Sequence, residues 1–168
     1  VFVSYRIYRE FYMPLEIERK FLVKDMSWKQ GQDGVFYKQG YFPCSCGPTV
    51  RIRIAGDKGF ITVKTKSNKK GDARSEYEYS IPLEEAREML ESICEQPCIE
   101  KVRYIRDYHG IKWEVDEFLG ENFGLVLAEV ELESTTQQIQ LPPWAGKEVT
   151  GDKRFYNAFL AKNPYTKW

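Results

Sequence analysis

Glu16-Ile17-Glu18-Arg19-Lys20-Phe21 sets charges at positions 16, 18 and 20, with the apolar Ile17 and Phe21 at positions of the opposite parity. The same two-residue period returns in Arg51-Ile52-Arg53-Ile54, Glu76-Tyr77-Glu78-Tyr79, Lys101-Val102-Arg103-Tyr104, Glu114-Val115-Asp116 and Glu129-Val130-Glu131-Leu132-Glu133. Successive side chains of a β-strand point to opposite faces, so each run predicts a strand with one ionic and one apolar face. An ionic face that recurs on strand after strand reads as the lining of one site.

Around these runs the composition is that of a single folded unit. The 168 residues are 42% hydrophobic and 30% charged, a size and balance that suit one compact domain. Residues 1–12 read as an N-terminal extension, and 13–168 as the domain. Lys plus Arg number 25 and so do Asp plus Glu, which leaves no net field to attract nucleic acid or a membrane. Any ionic partner must be recognised locally. No stretch approaches the ~18 apolar residues of a membrane span, and VFVSYRIYREFY lacks the features of a signal peptide, so a cytoplasmic protein is expected. Cys44, Cys46, Cys94 and Cys98 lack the spacing of a structural zinc knuckle and are expected as unligated thiols.

Other strands are expected at Val35 to Phe42 and Phe60 to Lys64, the latter joined to the Arg51 strand through Ala55-Gly56-Asp57-Lys58-Gly59. Pro82 to Ile93 carries Leu83, Ala86, Leu90 and Ile93 at helical spacing, with acids early, and predicts a helix. Gly151 to Ala161 predicts a second helix. Trp28, Trp113 and Trp144 are expected in the core or its cover, and His109 in a surface turn beside Gly110.

Eight antiparallel strands leave unpaired edges unless they curl into a barrel. The uncharged side, with Tyr77, Tyr79, Tyr104 and Trp113 among its residues, is too aromatic to leave in water. The expected fold is therefore an α+β, mainly β, closed eight-stranded barrel with covering helices and the charges inside. Buried ions must be paired, metal-bound or wet, so the interior is expected as a water-filled tunnel. Acids supply hard oxygen ligands to divalent cations, and Arg and Lys grip phosphate oxygens. Together they suggest a metal-bound polyphosphate.

The opening Glu16-Ile17-Glu18-Arg19-Lys20-Phe21-Leu22-Val23 resembles the Glu-x-Glu-x-Lys signature of the triphosphate tunnel metalloenzymes, the CYTH superfamily. Arg51/Arg53, Lys64, Glu76/Glu78, Lys101/Arg103, Glu114/Asp116 and Glu129/Glu131 follow in that family's order, and the resemblance spans Pro14 to about Leu160. It implies divalent-metal-dependent attack on a triphosphate. Glu16, Glu18, Glu129 and Glu131 would hold Mg²⁺ or Mn²⁺. Lys20, Arg51, Arg53, Lys64, Lys101 and Arg103 would cradle phosphates, and Lys153 or Arg154 would close the tunnel. Glu76, Glu78, Glu114 and Asp116 could bind a second metal, orient the attacking water or space the bases. Tyr41, in a resembling second-strand motif, would touch substrate at the mouth or pack in the barrel wall.

The short opening and single domain look most like the stand-alone bacterial triphosphatases, which implies hydrolysis of inorganic tripolyphosphate, with nucleoside or other organic triphosphates as further substrates. A class IV type adenylate cyclase, a thiamine triphosphatase and a non-catalytic polyphosphate or nucleotide sensor share the tunnel pattern and stay open as alternatives. The expected partner is a small-molecule triphosphate, with a homodimer left open.

Overall fold

The computed structural model describes residues 17–31, 33–43, 48–64, 76–134 and 136–168. Along the chain it forms β1 (Ile17–Val23), β2 (Val35–Tyr41), β3 (Thr49–Ala55), β4 (Lys58–Lys64), β5 (Glu76–Ile81), α1 (Leu83–Ser92), β6 (Ile99–Tyr108), β7 (Ile111–Phe118), β8 (Val126–Leu132), β9 (Ala145–Glu148) and α2 (Asn157–Leu160). Glu16, Cys44, Cys46 and the expected N-terminal extension lie outside the described residues. Among the described residues the period-two runs fall on strands, except that Glu133 lies just past the end of β8. Gly56 and Asp57 make the β3–β4 turn, with Gly56 at φ +59°, and His109 turns between β6 and β7 at φ +55°.

Among the described residues nine strands join one antiparallel sheet in the order β5-β4-β3-β2-β6-β7-β8-β1-β9. This corrects the expected closed eight-stranded barrel. A ninth strand pairs with β1, and among the described residues no hydrogen bonds join the outer strands β5 and β9, so the sheet has two edges. It nevertheless wraps around, because Glu18 and Lys20 near one edge line the same cavity as Glu76 and Glu78 at the other. β9 is held to β1 by a two-pronged hydrogen bond from Arg19 to Glu148, at 3.0 and 2.7 Å. The ionic interior is an open-sided trough.

On the outer face of β1, β7 and β8, Phe21, Trp113, Val115 and Val130 are buried with Trp28 and Trp144 from the flanking segments. α1 covers β3 with Ala86 and Leu90 against Ile52 and Ile54. Gly59 makes that contact feasible, since a Cβ there would meet the Ala86 methyl at 2.8 Å and the Ile81 carbonyl oxygen at 2.9 Å. The cover stops short of β5, where Tyr77 and Tyr79 are exposed. The sequence placed them on an apolar side in need of covering, but the α1 cluster takes in β5 only at Ile81, which leaves the two tyrosines in solvent.

A third cluster lies on the ionic face. Leu22, Ile99, Phe118 and Leu127 share strand parity with Lys20, Lys101, Asp116 and Glu129, and Val149, Phe155 and Leu160 pack onto them. They plug one end of the trough. The segment making this plug differs from the expected continuous helix over 151–161. It is a 3₁₀ turn at Lys153–Phe155, an extended Tyr156 and the single-turn α2. Phe155 and Leu160 turn inward to fill the end.

Candidate active site

The cavity of about 980 Å³ lies on the ionic face. One wall is built by β1, β6, β7 and β8. In their ladders Lys20 faces Glu129 and Arg103 faces Asp116, each a base against an acid, while Glu129 also faces Glu114, two acids side by side. Lys101 Nζ donates to Asp116 at the bottom, with side chains only 2% and 1% exposed. Arg103 donates to both Asp116 oxygens at 2.7 Å, to Glu114, and to Glu129 at 3.3 Å. Lys20 reaches Glu129 at 2.8 Å and Glu18 at 4.0 Å.

Burial shapes the ionisation of this wall. It opposes the Asp116 charge, but Lys101 and Arg103 on either side overcome it and hold the carboxyl below its ordinary range. Lys101 is lowered by its complete burial, which outweighs the attraction of Asp116. With two cations bonded to it, Asp116 is anionic. Burial also works against Lys20 and Arg103, yet Glu129 raises the first, and Asp116 with Glu114 and Glu129 raises the second. Asp116 sits behind the lining with its oxygens taken by Lys101 and Arg103. That placement fits a counter-ion for the bases better than an acid that meets water.

The other wall is built by β3, β4 and the edge strand β5. Glu78 accepts from Arg53 at 2.8 and 2.9 Å, from Arg51 at 3.2 Å and from the Thr62 hydroxyl at 2.8 Å. Glu76 pairs with Lys64 at 2.6 Å and with Arg51 at 3.6 Å. These carboxylates are far wetter than Asp116, with Glu76 29% and Glu78 33% exposed. Burial opposes the Glu78 charge, but Thr62, Arg53 and Arg51 hold its pKa below the ordinary range. The Nε–H groups of Arg51 and Arg53 are buried without a partner, a cost that reorienting either guanidinium would relieve.

β2 lies between the walls and points Tyr37, Gln39 and Tyr41 into the cavity. Tyr41 accepts from Gln39 Nε2 at 2.9 Å, and burial pushes its pKa up to about 12, so it is a neutral donor. Tyr37, Gln39 and Thr62 were not singled out from the sequence, although the parity that turns Tyr41 inward also turns Tyr37 and Gln39. At the plugged end, Tyr156, Asn157 and Ala158 line the cavity, with the Tyr156 ring 5.5 Å from Lys20 Nζ. Lys153 is exposed and lines nothing, and Arg154 is tied to Asp152 at 2.6 Å. The broken helix therefore brings Tyr156 to the site in place of the expected Lys153 or Arg154.

Of the expected metal ligands, Glu18 and Glu131 stand directly opposite each other in the β1–β8 ladder. Like charges in that relation repel, and a cation between them would relieve the repulsion. Both carboxylates line the cavity, so the pair suits a hard divalent ion whose other ligands come from phosphate and water. Glu129 is occupied by Lys20 and Arg103. Among the described residues no three His, Cys, Asp or Glu side chains converge as a ready metal cluster.

Known proteins resemble this chain. Residues 14–156 match the CYTH domain. An inorganic triphosphatase of Acetivibrio thermocellus is 51% identical over 153 residues, covering 91% of this chain and 97% of that protein. One from Nitrosomonas europaea is 38% identical over 151 residues, covering 87% and 96%. The crystal structure of the inorganic triphosphatase NE1496 superposes with a TM-score of 0.68 at 37% identity, over 87% of this chain and 93% of that one. The charge order along the strands, the trough it lines and these matches agree that the chain belongs to the CYTH domain family.

Proposed function

We propose that the protein hydrolyses inorganic tripolyphosphate to pyrophosphate and orthophosphate in a reaction that needs a divalent metal, Mg²⁺ or Mn²⁺. The observation that carries this is the pair of facing cationic sets around one cavity: Lys20, Lys101 and Arg103 on the inner wall, and Arg51, Arg53 and Lys64 on the edge wall. A linear polyanion between them would meet cations on both sides. The inorganic triphosphatases it resembles support the same substrate.

Phosphoryl transfer asks a protein for positioning and charge neutralisation more than for covalent chemistry. On binding, phosphate oxygens would take the place of Glu78 and Glu76 on Arg51, Arg53 and Lys64. Lys20 and Arg103 would hold the chain from the other side, with Asp116 fixing Arg103 and Lys101 from beneath. Tyr41 can donate its hydroxyl hydrogen to a phosphate oxygen, because its own oxygen already accepts from Gln39. Water attacks the terminal phosphorus, the anhydride P–O bond breaks, pyrophosphate departs and one proton is released. A divalent ion held by Glu18 and Glu131, with Glu16 as a further ligand, would withdraw charge from the phosphate oxygens.

The test is product analysis with Mg²⁺ or Mn²⁺ and either tripolyphosphate or ATP. Orthophosphate from tripolyphosphate is the expected result. Cyclic AMP with pyrophosphate from ATP as the main reaction would overturn it in favour of a cyclase, and tight binding without turnover in either metal would make the protein a sensor. Glu131→Gln should raise the metal concentration needed for half-maximal rate.

A further inference from the structure

We propose that Tyr37 is a positioning residue whose ring, rather than its hydroxyl, sets the spacing of the phosphate-binding cations across the two walls. Its place in the sheet supports this. Tyr37 lies on β2, the strand between the walls, directly opposite Lys101 of β6 on one side and Ala55 of β3 on the other. Side chains two residues along a neighbouring strand lie on the same face and within reach of an aromatic ring. In β6 that residue is Arg103, and in β3 it is Arg53.

The contacts follow from this register. The centre of the Tyr37 ring is 5.3 Å from Arg103 Cζ, 5.8 Å from Lys101 Nζ and 5.9 Å from Arg53 Cζ. Ala55, opposite, is small enough to leave the ring room. Two of the cations touch a second ring on their far sides, Lys101 at Phe118 at 5.7 Å and Arg53 at Phe60 at 5.3 Å. Tyr37 thus contacts cations of both walls.

A ring suits this place better than a carboxylate would. Its quadrupole attracts cations without neutralising them, and it offers no anion to compete with phosphate. Glu78 and Asp116 do neutralise their partners, and Glu78 has to give way when substrate arrives. Tyr37 does not. It holds Arg53 and Arg103 near one another in the empty and filled site alike, so the cost of gathering like charges is met before substrate binds.

The inference rests on the tripolyphosphate reading, and its test separates the two. Kinetics with tripolyphosphate and Mg²⁺ are compared for the wild type, Tyr37→Phe and a variant with pentafluorophenylalanine at position 37, which keeps the ring's shape but reverses its quadrupole. Expected is a KM about tenfold higher for the fluorinated variant than for Tyr37→Phe, with kcat changed much less. Equal KM for Phe and its fluorinated analogue, or a larger rise in KM from wild type to Tyr37→Phe than from Phe to its fluorinated analogue, would overturn the assignment. Should the wild type fail to turn over tripolyphosphate, the functional reading falls. The same three proteins compared by tripolyphosphate-induced thermal shift would then still decide the role of the ring.

Discussion

The two walls of the trough hold similar charges in different settings. The inner wall is flanked by strands on both sides and backed by the apolar plug, and its deepest pair, Lys101 and Asp116, is almost fully buried. The edge wall ends at β5, which has one neighbour, and its carboxylates are about one-third exposed. A buried pair cannot lose a partner without leaving a charge stranded in a poor solvent, whereas water takes over readily when a partner leaves an exposed pair. The difference assigns the Lys101–Asp116 pair at the bottom of the inner wall to architecture and the edge-wall carboxylates to exchange. Glu76 and Glu78 occupy the cations in the empty site and can leave.

The largest expected effect tests the inner wall. Asp116→Asn removes the counter-charge of two buried cations and should cost about 3–5 kcal/mol of stability, read by urea unfolding. A loss below about 1 kcal/mol would erase the contrast between the walls. Arg53→Ala comes next and should leave folding within about 1 kcal/mol while raising KM for tripolyphosphate about 10- to 100-fold, the worth of a charged hydrogen bond. Unchanged kinetics would remove Arg53 from the site.

Titration sharpens the same comparison. Asp116 and Glu78 both have lowered folded pKa values, so their contribution is present above the unfolded carboxyl pKa of about 4 and is lost as pH falls through the lowered values. Lys20 is raised, so its contribution is complete below about pH 10.4 and is lost as pH rises through its folded value. Thermal melts should therefore show no loss from these groups between about pH 5 and 9. A steep loss between pH 7 and 5 would contradict the assignment. The smallest effect is expected for Lys153→Ala, which should change stability by less than about 0.5 kcal/mol and leave kcat/KM within about twofold.

Much of this was legible because charge alternation survives translation into a sheet. A two-residue period fixes which side chains share a face, so Lys20, Arg51, Arg53, Lys64, Lys101 and Arg103 reach one cavity as expected. What the period cannot show is how far a sheet curls. Closure depends on partners distant in the chain, and β9 escaped notice because Ala145-Gly146-Lys147-Glu148 is short and does not alternate. The plug was written in the same parity as the charges, but Leu22, Phe118 and Leu127 sit where ionic runs give way to apolar residues, and the face was read as ionic throughout. The C-terminal segment was read by composition as one helix. Its break at Tyr156 depends on the way Phe155 and Leu160 fill the plugged end.

The central claim is that a triphosphate binds between both walls and takes the edge-wall cations from Glu76 and Glu78. The most direct measurement is the melting temperature of the wild type and of the Arg51→Ala/Arg53→Ala double variant with and without tripolyphosphate, in metal-free buffer so that turnover does not intervene. A ligand that binds only the folded state raises the melting temperature in step with its affinity. The account predicts a clear rise for the wild type and little or none for the double variant. An equal rise in both would place the anion elsewhere and contradict it.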